Sequence, residues 1–326
     1  MREITFLKEQ SNKWQEFEKL LDEKNANPKK LAALFIEVTD DLSYSRTHYS
    51  TSKTTQYLNG LAARVHQEIY KNKKENRGRI IAFWKTEVSL TMAKYKKQLL
   101  LSFFLFAIFT LLGFISELYD ENFVRFVIGD AYVDATIERI KKGNPLGIYG
   151  EEEQTGMFIR ITLNNIFVSF NVFVMGLLFS FGTAYQLFKN GVMLGAFQGF
   201  FYKYNLLAKS LLVVWIHGTF EISAIIIAGA AGFVLGNSLL YPGTYKRIES
   251  LKIGAKNSLK IIVGIVPIFI VAGFLESFVT RYTNMPLWFS LLIILGSLAF
   301  VVGYFVLYPM YLSKKTTLKI NINGKN

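Results

Sequence analysis

The chain has 326 residues, 51% of them hydrophobic and 15% aromatic, with six prolines, three histidines, no cysteine and a formal net charge of +13. The lack of cysteine excludes disulfides, thiolate metal sites and a thiol nucleophile, and three histidines supply metal chemistry poorly. Apolar residues collect into blocks such as LLLSFFLFAIFTLLGFI and LKIIVGIVPIFIVAGFL, each close to the roughly 20 residues a helix needs to cross a bilayer, so the basic excess reports membrane topology and no nucleic-acid partner is expected.

The opening stretch, MREITFLKEQSNKWQEF, has no apolar core of a cleaved leader, and an uncleaved N-terminus is expected. Residues 1–96 read as a cytoplasmic helical domain of three to four helices. Phe6, Phe17, Leu20 and Leu21 recur at helical spacing around Trp14, and Pro28 suits the first position of a second helix. The end of this region, RGRIIAFWKTEVSLTMAKYKK, is basic, aromatic and amphipathic. It fits either a juxtamembrane helix in the headgroup layer or one more packed helix of the cytoplasmic domain.

Residues 97–315 read as an all-α polytopic bundle with six spans, at about 98–117, 161–186, 190–203, 206–236, 258–280 and 286–312. The third is short enough to re-enter instead of crossing. The fourth is long, and a break is expected at His217-Gly218. Basic residues flank the first, fifth and last spans, at Lys96, Lys97, Arg247, Lys252, Lys314 and Lys315, whereas acidic residues crowd the 118–160 loop. The positive-inside rule then puts both termini, including the 316–326 tail, in the cytoplasm and that loop outside.

In the second span Asn165, Ser169, Val172, Gly176, Ser180 and Thr183 follow helical steps and form a polar, small-residue stripe. Gly191, Gly195 and Gly199 make one small-residue ladder, and Ala224, Ala228, Gly232 and Gly236 another. Both read as packing seams, and they exceed what one bundle needs, so a homo-oligomer, with a dimer favoured, is expected.

His217 and Glu221, at i and i+4, share the face of Ala224 and Ala228. A charge at the bilayer centre costs on the order of 2.5–3.5 kcal/mol, so Glu221 needs a partner, a proton or water. His217 is the first candidate, with Asn164, Asn165 or Glu276 joining across the bundle, and Glu276 is alternatively placed at the interface. Three readings remain open: a hydrogen-bonded clamp, a proton or ion relay, and a metal site of unusual composition. The clamp is the reading adopted, with no metal and no cofactor expected.

The string IFVSFNVFVMGLLFSFGTAYQLFKNGVMLGAFQG, led by Asn164-Asn165, together with HGTFEISAIIIAGAAGFVLG and FLESFVT, resembles the stage II sporulation protein M family. The resemblance rests on NN, GT, NG, HGxxE and ExFVT elements in order, which carry Asn164, Asn165, Thr183, Asn190, Gly191, His217, Gly218, Glu221 and Glu276. LFIEVTDDLSYSRTHY and YLNGLAARVHQEIY are similar to the cytoplasmic domain of its long members. The resemblance implies an integral protein of the bacterial inner membrane, and in spore formers a place in a complex that directs peptidoglycan degradation. It assigns no chemistry to the shared residues. The expected function is a non-enzymatic scaffold or component of an envelope complex, in contact with the lipid bilayer and other envelope proteins. A transporter, channel or lipid-translocating protein is the alternative, and an intramembrane metallohydrolase the third.

Overall fold

The computed structural model describes residues 2–23, 28–71, 78–150, 153–282 and 285–323, and every regular element among them is a helix. The chain divides into two compact units, Met1–Arg79 and Ile80–Asn326.

The first unit holds α1 (Glu3–Asp22), α2 (Pro28–His48) and α3 (Lys53–Lys71). One apolar stripe from each builds the core, with Phe6, Trp14 and Phe17 meeting Leu34, Val38 and Leu42, and Leu58, Leu61 and Val65 closing it. Burial of such stripes is what holds helices that are otherwise marginal in water. The Trp14 indole donates to Asp41 (2.8 Å), so its polar edge is satisfied inside the core.

The second unit opens with α4 (Arg79–Ala82), a π-helical turn over Phe83–Val88 and α5 (Ser89–Lys94). This is the basic, aromatic stretch for which two placements were open, and it packs as a helix of the bundle. Val88 and Met92 are buried in the main core, the Trp84 indole donates to Gly264 O (3.3 Å), and Trp84 O accepts from the Tyr304 hydroxyl (2.6 Å). Five helices that follow are long and apolar enough to cross a membrane: Lys96–Tyr119, Gln154–Leu177, Leu207–Leu240, Arg247–Val279 and Leu287–Thr316. In chain order the elements are α6 (Lys96–Tyr119), α7 (Phe123–Ile128), α8 (Asp130–Lys141), α9 (Gln154–Val174), α10 (Phe181–Lys203), α11 (Leu207–Leu240), α12 (Arg247–Phe274), α13 (Leu287–Val302) and α14 (Tyr308–Asn323). π-helical turns extend α12 over Leu275–Val279 and join α13 to α14 over Gly303–Leu307.

Three boundaries differ from the sequence reading. The second span stops early: a 3₁₀ turn over Met175–Leu177 leads into Phe179 (φ 50°) and Ser180 (φ 69°), both left-handed, and α10 then starts at Phe181. Such conformations cost roughly 1–2 kcal/mol per non-glycine residue, and here Ser180 N–H is held by Gly176 O (3.1 Å) and Leu178 N–H by Met175 O (3.1 Å). Consequently the expected short segment at 190–203 is the second half of a 23-residue helix, about 34 Å long. Gln186, Lys189 and Asn190 lower its hydropathy, and it is not among the five apolar helices.

The third difference lies in α11, which runs unbroken for 34 residues through His217-Gly218. Glycine in a helix costs about 1 kcal/mol relative to alanine but does not end it, and no left-handed residue or proline lies within α11 to stop the ladder.

The small-residue ladders are filled from within the chain. α10 lies parallel to α6. A Cβ at Gly191 would meet Phe109 Cβ at 2.9 Å, one at Gly195 would strike Thr110 O, and one at Gly199 would meet Glu117 Cβ at 2.9 Å. Gly113 completes this seam from the α6 side, against the Val192 backbone. On α11, Ala224 and Ala228 are fully buried, Gly232 faces Thr183 and Gly176, and Gly236 faces Ser180. At the end of the bundle bearing the acidic loop, α7 and α8 bury Val124 and Val133 against Phe200, Phe201, Val213 and Val214.

Candidate functional site

Four polar residues expected in the membrane meet between α9, α11 and the π-helical end of α12. Asn165 projects from the fourth turn of α9 and donates through Nδ2 to Glu221 Oε1. His217 and Glu221 stand one turn apart on α11. Glu276 and Thr280 come from the π-helical turn, where Thr280 N–H reaches back to Leu275 O (2.8 Å), an i to i−5 bond. The extra residue per turn re-aims the side chains that follow it, which is why such turns recur at functional sites. Glu276 therefore sits inside the cluster, with 15% of its side chain exposed, and not free at the interface.

The setting of His217 follows from its neighbours. Its side chain is 4% exposed, and Nδ1 lies 2.9 Å from Thr280 Oγ1. Thr280 Oγ1 also stands 3.1 Å from Leu275 O, so the hydroxyl lies between the imidazole and the backbone. Nε2 lies 4.0 Å from Glu276 Oε1. One ligand atom from each of His217, Glu221 and Glu276 lies within 4.8 Å of the other two. The pair suggested by i, i+4 spacing is thus part of a buried triad, with Glu276 beside both members. Arg160, exposed on α9, acts on Glu276 electrostatically.

The remaining sequence candidates lie elsewhere. Asn164 is exposed on α9. Thr183 is buried and donates to Val172 O (2.9 Å), tying the start of α10 to α9, while Asn190 donates to Gln186 O (2.8 Å) within α10. Two features went unassigned in the sequence. Thr280 belongs to the FLESFVT string but carries no charge to draw attention. Glu117, 1% exposed in the last turn of α6, pairs with Lys203 (3.2 Å) and accepts from Val124 N–H (2.7 Å), so it caps α7. A carboxylate one turn inside the end of an apolar span was its available signal.

In chemical terms the triad assembles two carboxyl groups and an imidazole in an apolar bundle. Such a set holds a cation or shares protons.

Comparison with known proteins places this arrangement. A domain of unknown function (DUF8413) matches residues 4–71, the three-helix unit. Neither the curated proteins nor the solved structures gave a match. Stage II sporulation protein M matches residues 102–281, which covers α6 to the end of α12 and includes Asn165, His217, Glu221, Glu276 and Thr280. The matched stretch exceeds half of the chain, and the chain belongs to the stage II sporulation protein M family.

Proposed function

We propose that this membrane protein is a non-enzymatic scaffold of a bacterial envelope complex, set in the inner membrane with both termini in the cytoplasm. The observation that carries the reading is the continuity of α11 together with the filling of its small-residue ladder by the same chain. Alternating-access transporters work through discontinuous helices at the binding site, whereas here the helix bearing His217 and Glu221 is unbroken and locked on both sides. The three-helix unit has its own core and serves as a recruiting module. Counting α10 as a crossing makes six passes, an even number, which supports termini on one side. Association with a second copy uses faces other than the two ladders.

The test is the size of the particle extracted from native membranes at native abundance. A complex well above one chain plus micelle is expected, shrinking when residues 2–79 are deleted. A protein that extracts as a lone chain overturns the scaffold reading.

One observation favours the lipid-translocating alternative. A groove of about 480 Å³ between α6, α10, α11 and α13 is lined by Phe106, Thr110, Gln198, Trp215 and Leu298. Gln198 Nε2 and Trp215 Nε1 are buried there without an acceptor among the described residues, and a lipid ester could supply one. Acceleration of fluorescent-lipid exchange between leaflets of proteoliposomes would replace the scaffold reading with this one.

A further inference from the structure

We propose that the groove between α6, α10, α11 and α13 is a binding site for one ester-linked glycerolipid of the bilayer, whose acyl carbonyl accepts hydrogen bonds from Gln198 and Trp215. The inference goes beyond the scaffold reading, and it holds whether the bound lipid stays in place or moves between leaflets.

The polar lining of the groove is short of acceptors. Thr110 Oγ1 donates to Phe106 O (2.9 Å) and Thr219 Oγ1 donates to Trp215 O (2.7 Å), so both hydroxyl protons turn back onto their own helices. Gln198 is 6% exposed, and its Oε1 accepts from the buried Ser210 hydroxyl (3.2 Å). That bond orients the amide and leaves Nε2 to the groove. Neither Gln198 Nε2 nor Trp215 Nε1 meets an acceptor among the described residues, and both atoms are buried. Native proteins rarely leave buried donors unpaired. The group called for is an acceptor, and a carbonyl oxygen offers two lone pairs.

The depth of these donors suits an ester. α11 has 34 residues and is about 51 Å long, roughly 20 Å more than a hydrocarbon core of about 30 Å. Shared between the two ends, that surplus puts the edge of the core about seven residues into the helix, beside Trp215. Tryptophan is enriched at this level of a membrane. Gln198 lies five residues before Lys203, the end of α10, hence about 8 Å below the same face. The ester carbonyls of a glycerolipid occupy this boundary, between headgroup and chains.

The shape accepts the rest of the molecule. Phe106, Gly195 and Thr219 are buried lining residues, whereas Phe103, Leu111 and Leu298 line the groove and are exposed. Those three exposed side chains stand on helices apolar enough to cross a membrane, so the mouth opens towards acyl chains. The volume of about 480 Å³ falls within the roughly 300–1,000 Å³ of small-molecule sites.

The experiment uses the full chain in detergent, washed free of native lipid and then loaded with dioleoyl-phosphatidylglycerol or with its diether analogue, which has the same headgroup and chains but no carbonyl. Native mass spectrometry counts the lipid retained. One diester lipid per chain is expected, with the diether held roughly 10-fold more weakly, the scale of one lost buried hydrogen bond. Gln198→Leu combined with Trp215→Phe should hold the two lipids equally. Ala107→Trp keeps both donors but fills the groove from α6, and should hold neither. Leu112→Trp, exposed on α6 outside the lining, should behave as wild type. Folded wild-type protein that retains no diester lipid overturns the proposal and leaves the donors to water. Equal retention of diester and diether by wild type overturns it as well, and so does lipid that survives Ala107→Trp unchanged, which is annular. The wild-type comparison stands even if a variant fails to fold. Complex size is a separate measurement, so failure here leaves the scaffold reading untouched, and a lipid that is retained without leaflet exchange is a fixed part of the scaffold.

Discussion

Thr280 shows how much one uncharged side chain can decide. It is fully buried and lies within hydrogen-bond reach of both His217 Nδ1 (2.9 Å) and Leu275 O one π-helical turn earlier (3.1 Å). Thr280→Val keeps the shape but removes the hydroxyl that meets the imidazole Nδ1, which should lower stability by about 1–3 kcal/mol, the cost of an unsatisfied buried polar group. Thermal unfolding in detergent should show the loss, and Thr280→Ser should recover most of it. At the other end of α9, Glu153 acts on the helix terminus: its carboxylate accepts from Gly156 N–H (2.6 Å) and Thr155 N–H (2.9 Å). Those backbone donors hold its titration below the ordinary carboxylate range. A depressed value in the folded state means the stabilisation is present above that range and disappears as pH falls through the depressed value. The melting temperature of Glu153→Ala should therefore lie below wild type near neutrality, and the two should converge in acid. A gap independent of pH would show that the cap is not the cause.

Among the helices, the ladders separate two uses of glycine. Gly195 is pressed against the α6 backbone at Thr110, Gly113 and Phe114, whereas a Cβ at Gly296 on α13 would meet nothing within 4 Å. The same change at the two sites should thus give opposite results. Gly195→Leu must part α6 from α10 and should destabilise the single chain by at least about 1–3 kcal/mol, the usual cost of overpacking. Gly296→Leu should leave the melting temperature within a degree or two of wild type. If Gly195→Leu instead leaves the monomer intact and only separates subunits, the seam lies between chains. The turn at Phe179-Ser180 belongs to the same logic, because Gly176 brings the end of α9 onto Gly232 and leaves the chain room to reverse within three residues.

For the whole molecule, the claim open to direct test is sidedness. The chain has no cysteine, so single-cysteine variants report position without background. Lys142, exposed just beyond α8, and Lys30 and Lys314, exposed in the first unit and in α14, serve as reporters. A membrane-impermeant thiol reagent should label Lys142→Cys in intact cells and leave Lys30→Cys and Lys314→Cys unlabelled until the membrane is opened. Labelling of Lys30→Cys from outside would reverse the topology. Labelling of Lys30→Cys and Lys314→Cys on opposite sides would mean that α10 does not cross.

The sequence by itself determined the helical class and the positions of most spans, because each rests on periodicity or on apolar length within one segment. It also singled out His217 and Glu221, since charge in an apolar run is visible without neighbours. Only the tertiary structure decided where α9 ends, because Phe179 and Ser180 carry no turn signature and are held left-handed by contacts with Gly176 and α11. It alone kept α11 continuous through Gly218, where a local reading weighs glycine and length but not the helices packed alongside. The polar stripe on α9 likewise ends at the turn, and Thr183 reaches Val172 from the next helix. Glu276 and Thr280 join His217 through a π-helical turn 59 or more residues away along the chain. That turn is a matter of hydrogen-bond register, which leaves no mark in hydropathy, and so the pair became a triad only when three helices were brought together.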